Sequence, residues 1–462
     1  MASGARKLVR SSFMASVRAL LALTFLLSGG AATAAAAMVR NGGSPSIYGG
    51  GGGEGAAVIG RGGRSLLQAA AAAAATTQSA VFSLDSYGAH GDGERDDTAA
   101  LARAWSAACA SAAPAVVLVP ESRSYLLRQV TLSGPCESTI KLMVKGTLVA
   151  SPDMSNWNES NRRYWIVVRG VDGLAVGGGG TIDGNGEGWW ENSCKINRAL
   201  VSVLTALSFH TCDNLSVNGL KMVNSQQIHM SVEDCTGVEL AHLSISAPGT
   251  SPNTDGIHIT HSKNVQVSDC TIKTGDDCVS IEDGTHGLHV TRLVCGPGHG
   301  ISIGSLGDDN SRAEVSDIFI DTVHLYGTTN GARIKTWQGG SGYAKDIVFQ
   351  NMVMNSVKNP IIIDQNYCDS AKKCETQECH EHGSQGSAVE ISNVVFKNIA
   401  GTTISKSAIT LNCSKNYPCY DISLQDINLE MVDDNGATGS TCQNAKWRKS
   451  GTVVPQPCTS TN

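Results

Sequence analysis

A short pattern returns through the second half of this chain, and its spacing limits the possible folds more than any other feature. The segments Asn214-Leu-Ser-Val, Gly237-Val-Glu-Leu, Asn264-Val-Gln-Val, Gly287-Leu-His-Val, Asp317-Ile-Phe-Ile, Asp346-Ile-Val-Phe, Asn393-Val-Val-Phe and Asp421-Ile-Ser-Leu each open on a turn residue and then alternate. Their starts lie 23 to 30 residues apart, with one interval of 47. Those intervals are too short for βαβ units with full helices, and a β-sandwich would show hairpin turns such as Asn-Gly at shorter spacing. Each repeat therefore reads as one rung of a coil of short parallel strands, joined to the next by hydrogen bonds and by ladders of Val, Ile and Leu. The expected fold is all-β, a right-handed parallel β-helix of about ten rungs. Asp96, Asp97 and Thr98 precede a helix-like stretch from Ala99 to Cys109, with its acidic residues at the end the helix dipole favours. That helix is expected to cap the N-terminal end of the coil.

A second strand recurs within the same rungs: Gln227-Ile-His-Met, Gly256-Ile-His-Ile, Cys278-Val-Ser-Ile, Gly300-Ile-Ser-Ile, Gly331-Ala-Arg-Ile, Pro360-Ile-Ile-Ile and Ala408-Ile-Thr-Leu. The residues just before six of these strands are Gln226, Asp255, Asp277, His299, Asn330 and Asn359. Equivalent positions in neighbouring rungs lie about 4.8 Å apart, so Asp255, Asp277 and His299 should form a column on one surface. His258, Ser280, Ser302 and Arg333 stand two positions after the first residue of each strand, opposite the inward Ile and Val, and Lys335 follows Arg333 with period two.

The remaining composition says where such a coil would work. Charged residues make up 16% of the chain, the formal net charge is −6, and no block of one sign occurs, which argues against a nucleic-acid arm or a basic membrane patch. Arg6, Lys7, Arg10 and Arg18 precede the apolar run from Ala19 to Leu27 and a small-residue stretch to Ala37, the order of a secretory signal peptide. Residues 1–34 are assigned to that signal, 35–79 to a Gly- and Ala-rich flexible leader, and 80–462 to the β-helix domain. Fifteen cysteines then favour disulfides, with an odd count leaving at least one thiol over. Asn158, Asn214 and Asn412 open N-glycosylation sequons.

Asp276 beside Asp277 brings three carboxylates within two rungs of a coil otherwise poor in charge. Such carboxylates repel, and at least one is expected to hold its proton, as general-acid work requires. Asp residues that cap turns or bind Ca²⁺ would explain the acids alone, but His299, Arg333 and Lys335 crowd the same face. A sugar carrying a ring carboxylate accounts for the mixture: cations for the uronate, carboxyls for the glycosidic bond.

From about Val81 to the C-terminus the chain resembles the plant polygalacturonases of glycoside hydrolase family 28. The resemblance rests on Asn253-Thr254-Asp255-Gly256, Gly275-Asp276-Asp277-Cys278, Gly298-His299-Gly300 and Arg333-Ile334-Lys335. It extends to the Tyr87-Gly88-Ala89 to Asp96-Asp97-Thr98 entry segment and the stretch from Pro360 to Cys368. It implies hydrolysis of α-1,4-linked polygalacturonate, the acidic backbone of pectin, at the cell wall. Asp276 would be the general acid, Asp255 and Asp277 would activate the water that attacks with inversion, and His299 would support the acid's proton state. Arg333, Lys335, Tyr367 and Asn253 would bind substrate, and Cys278 would bridge to Cys295. Carboxylates one rung apart stand nearer a retaining enzyme's separation of ~5–5.5 Å, so inversion is taken from the resemblance alone. A pectate-lyase-like enzyme and a catalytically silent wall-binding protein are the alternatives; the first needs Ca²⁺ and a basic proton acceptor, the second a missing Asp. Cys374, Cys379, His380 and His382 crowd one loop as zinc ligands would, but a secreted chain favours disulfides, and no metal or other cofactor is expected. The expected partner is the polysaccharide, with no nucleic acid and no stable membrane association, and the chain is expected to act as a monomer.

Overall fold

The residues that open each repeat turn out to be corners. Asn214, Gly237, Asn264, Gly287, Asp317, Asp346, Asn393 and Asp421 all take φ between +49° and +72°, the left-handed region that Asn, Asp and Gly tolerate best. A second corner follows five residues later in each rung, at Gly219, His242, Asp269, Arg292, Thr322, Asn351, Asn398 and Asp426, again with positive φ. Between the corners the alternating residues point inward and stack. Val265, Leu288, Ile318, Ile347, Val394 and Ile422 are paired in register across six successive rungs, and each is at most 1% exposed. Phe349 and Phe396 continue the ladder with rings stacked at 5.4 Å.

This computed structural model describes residues 79–157, 163–193, 205–368, 388–433 and 436–458. The signal segment, nearly all of the leader, the Asn158 sequon and the loop with Cys374, Cys379, His380 and His382 lie outside them.

Eleven parallel strands stack in chain order to form one face of a right-handed β-helix. They are β1 (Val130–Ser133), β2 (Tyr164–Arg169), β3 (Thr205–His210), β4 (Met230–Glu233), β5 (Ile257–Thr260) and β6 (Asp277–Ile281), followed by β7 (Gly300–Leu306), β8 (Asn330–Thr336), β9 (Asn359–Asp364), β10 (Ser407–Asn412) and β11 (Gly439–Gln443). The remaining strands form the other walls, pairing in parallel from rung to rung. Helix α1 (Thr98–Cys109) closes the N-terminal end, burying Leu101, Ala104, Trp105 and Ala108. A disulfide from Cys109 to Cys136 fastens it there. The Asp97 side chain does not cap α1, as its place before the helix suggests. It turns away to accept the backbone N–H groups of His90 (2.6 Å) and Gly91 (2.9 Å).

One rung differs from the sequence alignment. Met230 pairs with Ile257 and Ser231 with His258, two residues from the register that equates Gln227 with Gly256. A two-residue slip keeps the same side chains inward, so hydrophobic alternation cannot detect it. Gln226 therefore leaves the column before the strands, and His229 takes up a place against Asp255.

Disulfides also join Cys278 to Cys295, Cys413 to Cys419 and Cys442 to Cys458, and Cys368 is disulfide-bonded too. Among the described residues, Cys212, Cys235 and Cys270 are free and buried.

Candidate active site

The groove face carries two outward rows of side chains. In the first, His258, Ser280, Ser302 and Arg333 stand in register on β5, β6, β7 and β8. The turns leading into these strands hold the acids. A register shift after Asp277 lets Asp276 and Asp277 both reach the groove. The next turn brings in His299, whose N–H donates to the Asp276 carbonyl at 2.7 Å. Gly300 makes that approach possible: its φ is +85°, and a Cβ there would lie 2.0 Å from the Asn330 carbonyl oxygen. The Asn253-Thr254-Asp255 turn is clamped to the Asp276 turn by Thr254, whose Oγ1 accepts the Gly275 N–H at 3.0 Å and meets Ser251 Oγ at 2.6 Å.

Asp276, Asp277 and His299 present atoms all within 4.8 Å of one another. His299 Nδ1 lies 2.7 Å from Asp276 Oδ1. Asp277, 1% exposed, accepts at Oδ1 from Ser302 Oγ and Arg333 Nη2, each at 2.7 Å, and at Oδ2 from Lys335 Nζ at 3.3 Å. Burial alone would raise this carboxyl; the Arg333 and Lys335 cations, with Ser302 and His299, outweigh it and hold Asp277 below the ordinary carboxylate range. Asp255 goes the other way. Burial, then the negative charges of Asp276 and Asp277, push it well above its ordinary value against the Ser280 hydrogen bond and Lys335. The spacing of Asp276, Asp277 and His299 could admit a cation, but Arg333 and Lys335 already neutralise Asp277, which suits acid–base work better.

Lys335 is sandwiched at the edge of the site. Burial would lower its ammonium, yet Asp277 wins and raises it. Its Nζ also lies 5.4 Å from the centre of the Tyr367 ring, which packs edge-on against Trp337. Asn253, at φ +55°, has a buried Oδ1 with no hydrogen-bond partner among the described residues. The disulfide from Cys278 to Cys295 ties the strand after the paired acids to the segment before His299.

These observations fit a family found by sequence comparison. The chain matches Glycosyl hydrolases family 28 over residues 109–454. It belongs to that family. Members similar to it include a polygalacturonase of Persea americana, 49% identical over 365 residues, covering 78% of this chain and 76% of that one. Polygalacturonase-2 of Solanum lycopersicum is 48% identical over 383 residues, covering 82% and 81%. Among solved structures, endo-xylogalacturonan hydrolase from Aspergillus tubingensis superposes with a TM-score of 0.69 at 25% identity, over 81% of this chain and all of that one. The family makes this chain a glycosidase and its coil the family's β-helix.

The family groove contains residues that sequence reasoning passed over. His229 is fully buried; its Nδ1 lies 3.0 Å from the Asp255 carbonyl oxygen, and its Nε2 accepts the Ser225 N–H at 3.4 Å. With Nε2 accepting, Nδ1 carries the hydrogen and donates. Burial pushes this imidazole down to about 4, so it is neutral. On the N-terminal side a cavity of about 360 Å³ opens between Arg163, Tyr164, Ser231, Glu233 and His258, lengthening the groove beyond the acids. Two sequon asparagines lie elsewhere in ladders: Asn214 at a corner, donating to Asp172 at 2.8 Å, and Asn412 on β10, donating to Asp364 at 2.8 Å.

Proposed function

We propose that the chain hydrolyses the α-1,4 linkages of polygalacturonate, the de-esterified backbone of pectin, at the plant cell wall. The observation that carries this reading is a set of unlike carboxyls in one groove: Asp277 held ionised by two cations and so able to take a proton, Asp276 paired with His299 at 2.7 Å and placed to give one, and Asp255 driven toward its protonated form beside them. A glycosidase needs one carboxyl that gives a proton and one carboxylate that takes one.

Asp276 donates its proton to the glycosidic oxygen as the bond to the anomeric carbon breaks. A water held by Asp255 and Asp277 attacks that carbon from the opposite face and loses its proton to the ionised Asp277. One water is consumed; each product gains a hydroxyl, and solvent returns the proton from Asp277 to Asp276. Asp255, which burial and its acidic neighbours drive toward the protonated form, helps position the water without itself taking the proton. His299 holds the Asp276 proton in line, and Asn253 and Tyr367 contact the sugar. Arg333 and Lys335 keep Asp277 charged and present the remaining positive field to a uronate carboxylate. The signal segment and the disulfides support secretion into the wall, where the chain works as a monomer without metal.

Release of reducing ends from de-esterified polygalacturonate tests the proposal. The wild-type protein should produce them, and Asp276→Asn should lose about 10²- to 10⁴-fold in turnover while still folding and binding. If Asp276→Asn keeps most of its activity, Asp276 is not the acid.

A further inference from the structure

The second outward row of the groove contains an acid that the reaction does not use. Glu282 follows β6, and its N–H still donates to the Ile259 carbonyl at 2.8 Å, so it keeps the strand's register one residue past the end. Ser280, two residues earlier, faces the groove between His258 and Ser302, and the period of two puts Glu282 on the same face. Ile281 pairs with Ile303, which sets Glu282 opposite Gly304 in the next rung. No side chain can stand at Gly304: its φ is +96°, and a Cβ would lie 2.1 Å from the Lys335 carbonyl oxygen. Ile303 pairs in turn with Ile334, so Lys335 occupies the rung after that, its Nζ leaning to Asp277. The row therefore has no side chain between Glu282 and Lys335, and Lys335 leans back over the buried Gly304 toward the rung of Asp277 and Glu282.

Glu282 is half-buried, and among the described residues no hydrogen bond or ion pair reaches its carboxyl. Its carboxyl oxygens still reach solvent, which leaves them open to a ligand in the groove. The charged groups around it are Lys335 on β8, Asp277 on its own strand, Asp308 in the turn after β7, and Asp283, itself 3.4 Å from His261. Thr260 and Gly304, on the flanking strands, bring no charge. Burial first, with Asp277, Asp308 and Asp283 adding and Lys335 opposing, pushes Glu282 up to about 8. In an acidic medium it is a neutral hydrogen-bond donor on the groove face beside the Lys335 ammonium, a combination suited to a carboxylate guest.

We propose that Glu282 is a specificity-determining residue of the groove, donating a hydrogen bond beside Lys335 to the free carboxylate of a galacturonate bound next to the catalytic acids. This rests on the polygalacturonate reading. A methyl ester in the same place lacks the charge that strengthens the bond. Loss of the Glu282 proton converts the donor into an anion facing the guest, so affinity for the free acid should fall on alkalinisation while affinity for the ester should not.

Calorimetry of trigalacturonate and its methyl ester tests this on the full-length secreted protein carrying Asp276→Asn to prevent turnover, with Glu282 intact or replaced by Glu282→Gln. Glutamine keeps a donor but cannot ionise. Between about pH 5 and pH 9, the Kd for free trigalacturonate should rise about tenfold more with Glu282 than with Gln, and the ester should show no such difference. Parallel pH curves for the two proteins, or an equal effect on the ester, overturn the assignment of Glu282 and leave the substrate reading standing. If neither protein binds trigalacturonate at about pH 5, the substrate reading falls and takes this inference with it.

Discussion

Arg333 and Asp277 form a buried ion pair across two rungs of the β-helix, Nη2 to Oδ1 at 2.7 Å, with side chains 13% and 2% exposed. Lys335 reaches the other oxygen of the same carboxylate. The two cations thus have a role inside the protein before any substrate arrives, and breaking a buried pair on one side leaves a costly uncompensated charge.

Lys335→Ala separates that internal role from contact with substrate. Losing the cation raises the Asp277 carboxyl, so the low-pH limb of kcat/KM, which tracks the carboxylate that must be ionised, moves to higher pH. If Lys335 also holds a uronate, KM for de-esterified polygalacturonate rises by about tenfold or more, and the preference over esterified pectin narrows. A displaced limb with unchanged KM and ester preference would confine Lys335 to tuning Asp277.

His229→Ala removes the donor beneath the Asp255 carbonyl and leaves the Ser225 N–H without its acceptor. Stability should fall by about 1–3 kcal/mol, and kcat should drop about tenfold with KM little changed, because the water-holding carboxylate loses its fixed position. His229→Gln, which keeps a donor, should recover part of kcat. A lower melting temperature with normal kcat would mean that His229 serves the fold alone.

His258 links the groove to pH. Burial, with Arg163 adding, pushes its imidazole down to about 4, against an ordinary value of 6.5 in the unfolded chain. Between those values the unfolded chain binds a proton that the folded one refuses, so this contribution to stability is whole above about pH 6.5 and lost as pH falls toward 4. His229 acts in the same direction. Scanning calorimetry from pH 7 to 4 should show a shallower loss of stability for His258→Gln than for the wild type. An unchanged slope would mean that His258 is not held neutral.

The rungs were legible because their corners need Asn, Asp or Gly, and their inward positions need Val, Ile, Leu or Phe. Both demands are local and repeat. The period placed Asp255 level with Asp277, but not His299 with Asp277: the register shifts there, Asp277 pairs with Gly300, and His299 lies against Asp276 instead. The rung containing Gln226 was misread because a two-residue shift preserves the inward pattern, and that shift also concealed His229. Glu282 could not be read from the sequence at all. Its character depends on Gly304 bearing no side chain one rung away and on burial among Asp277, Asp283 and Asp308, relations that exist only after the coil closes.

The central claim is that this groove breaks an α-galacturonosyl bond with water, using one proton-giving and one proton-taking carboxyl on opposite sides of the bond. Proton NMR of de-esterified polygalacturonate in the first minutes of digestion tests it most directly. New reducing ends should appear as the β-anomer and mutarotate to the α form only later, with no vinylic proton at any time. Initial α-anomer would require a retaining mechanism, and a vinylic signal would require elimination; either would contradict the account.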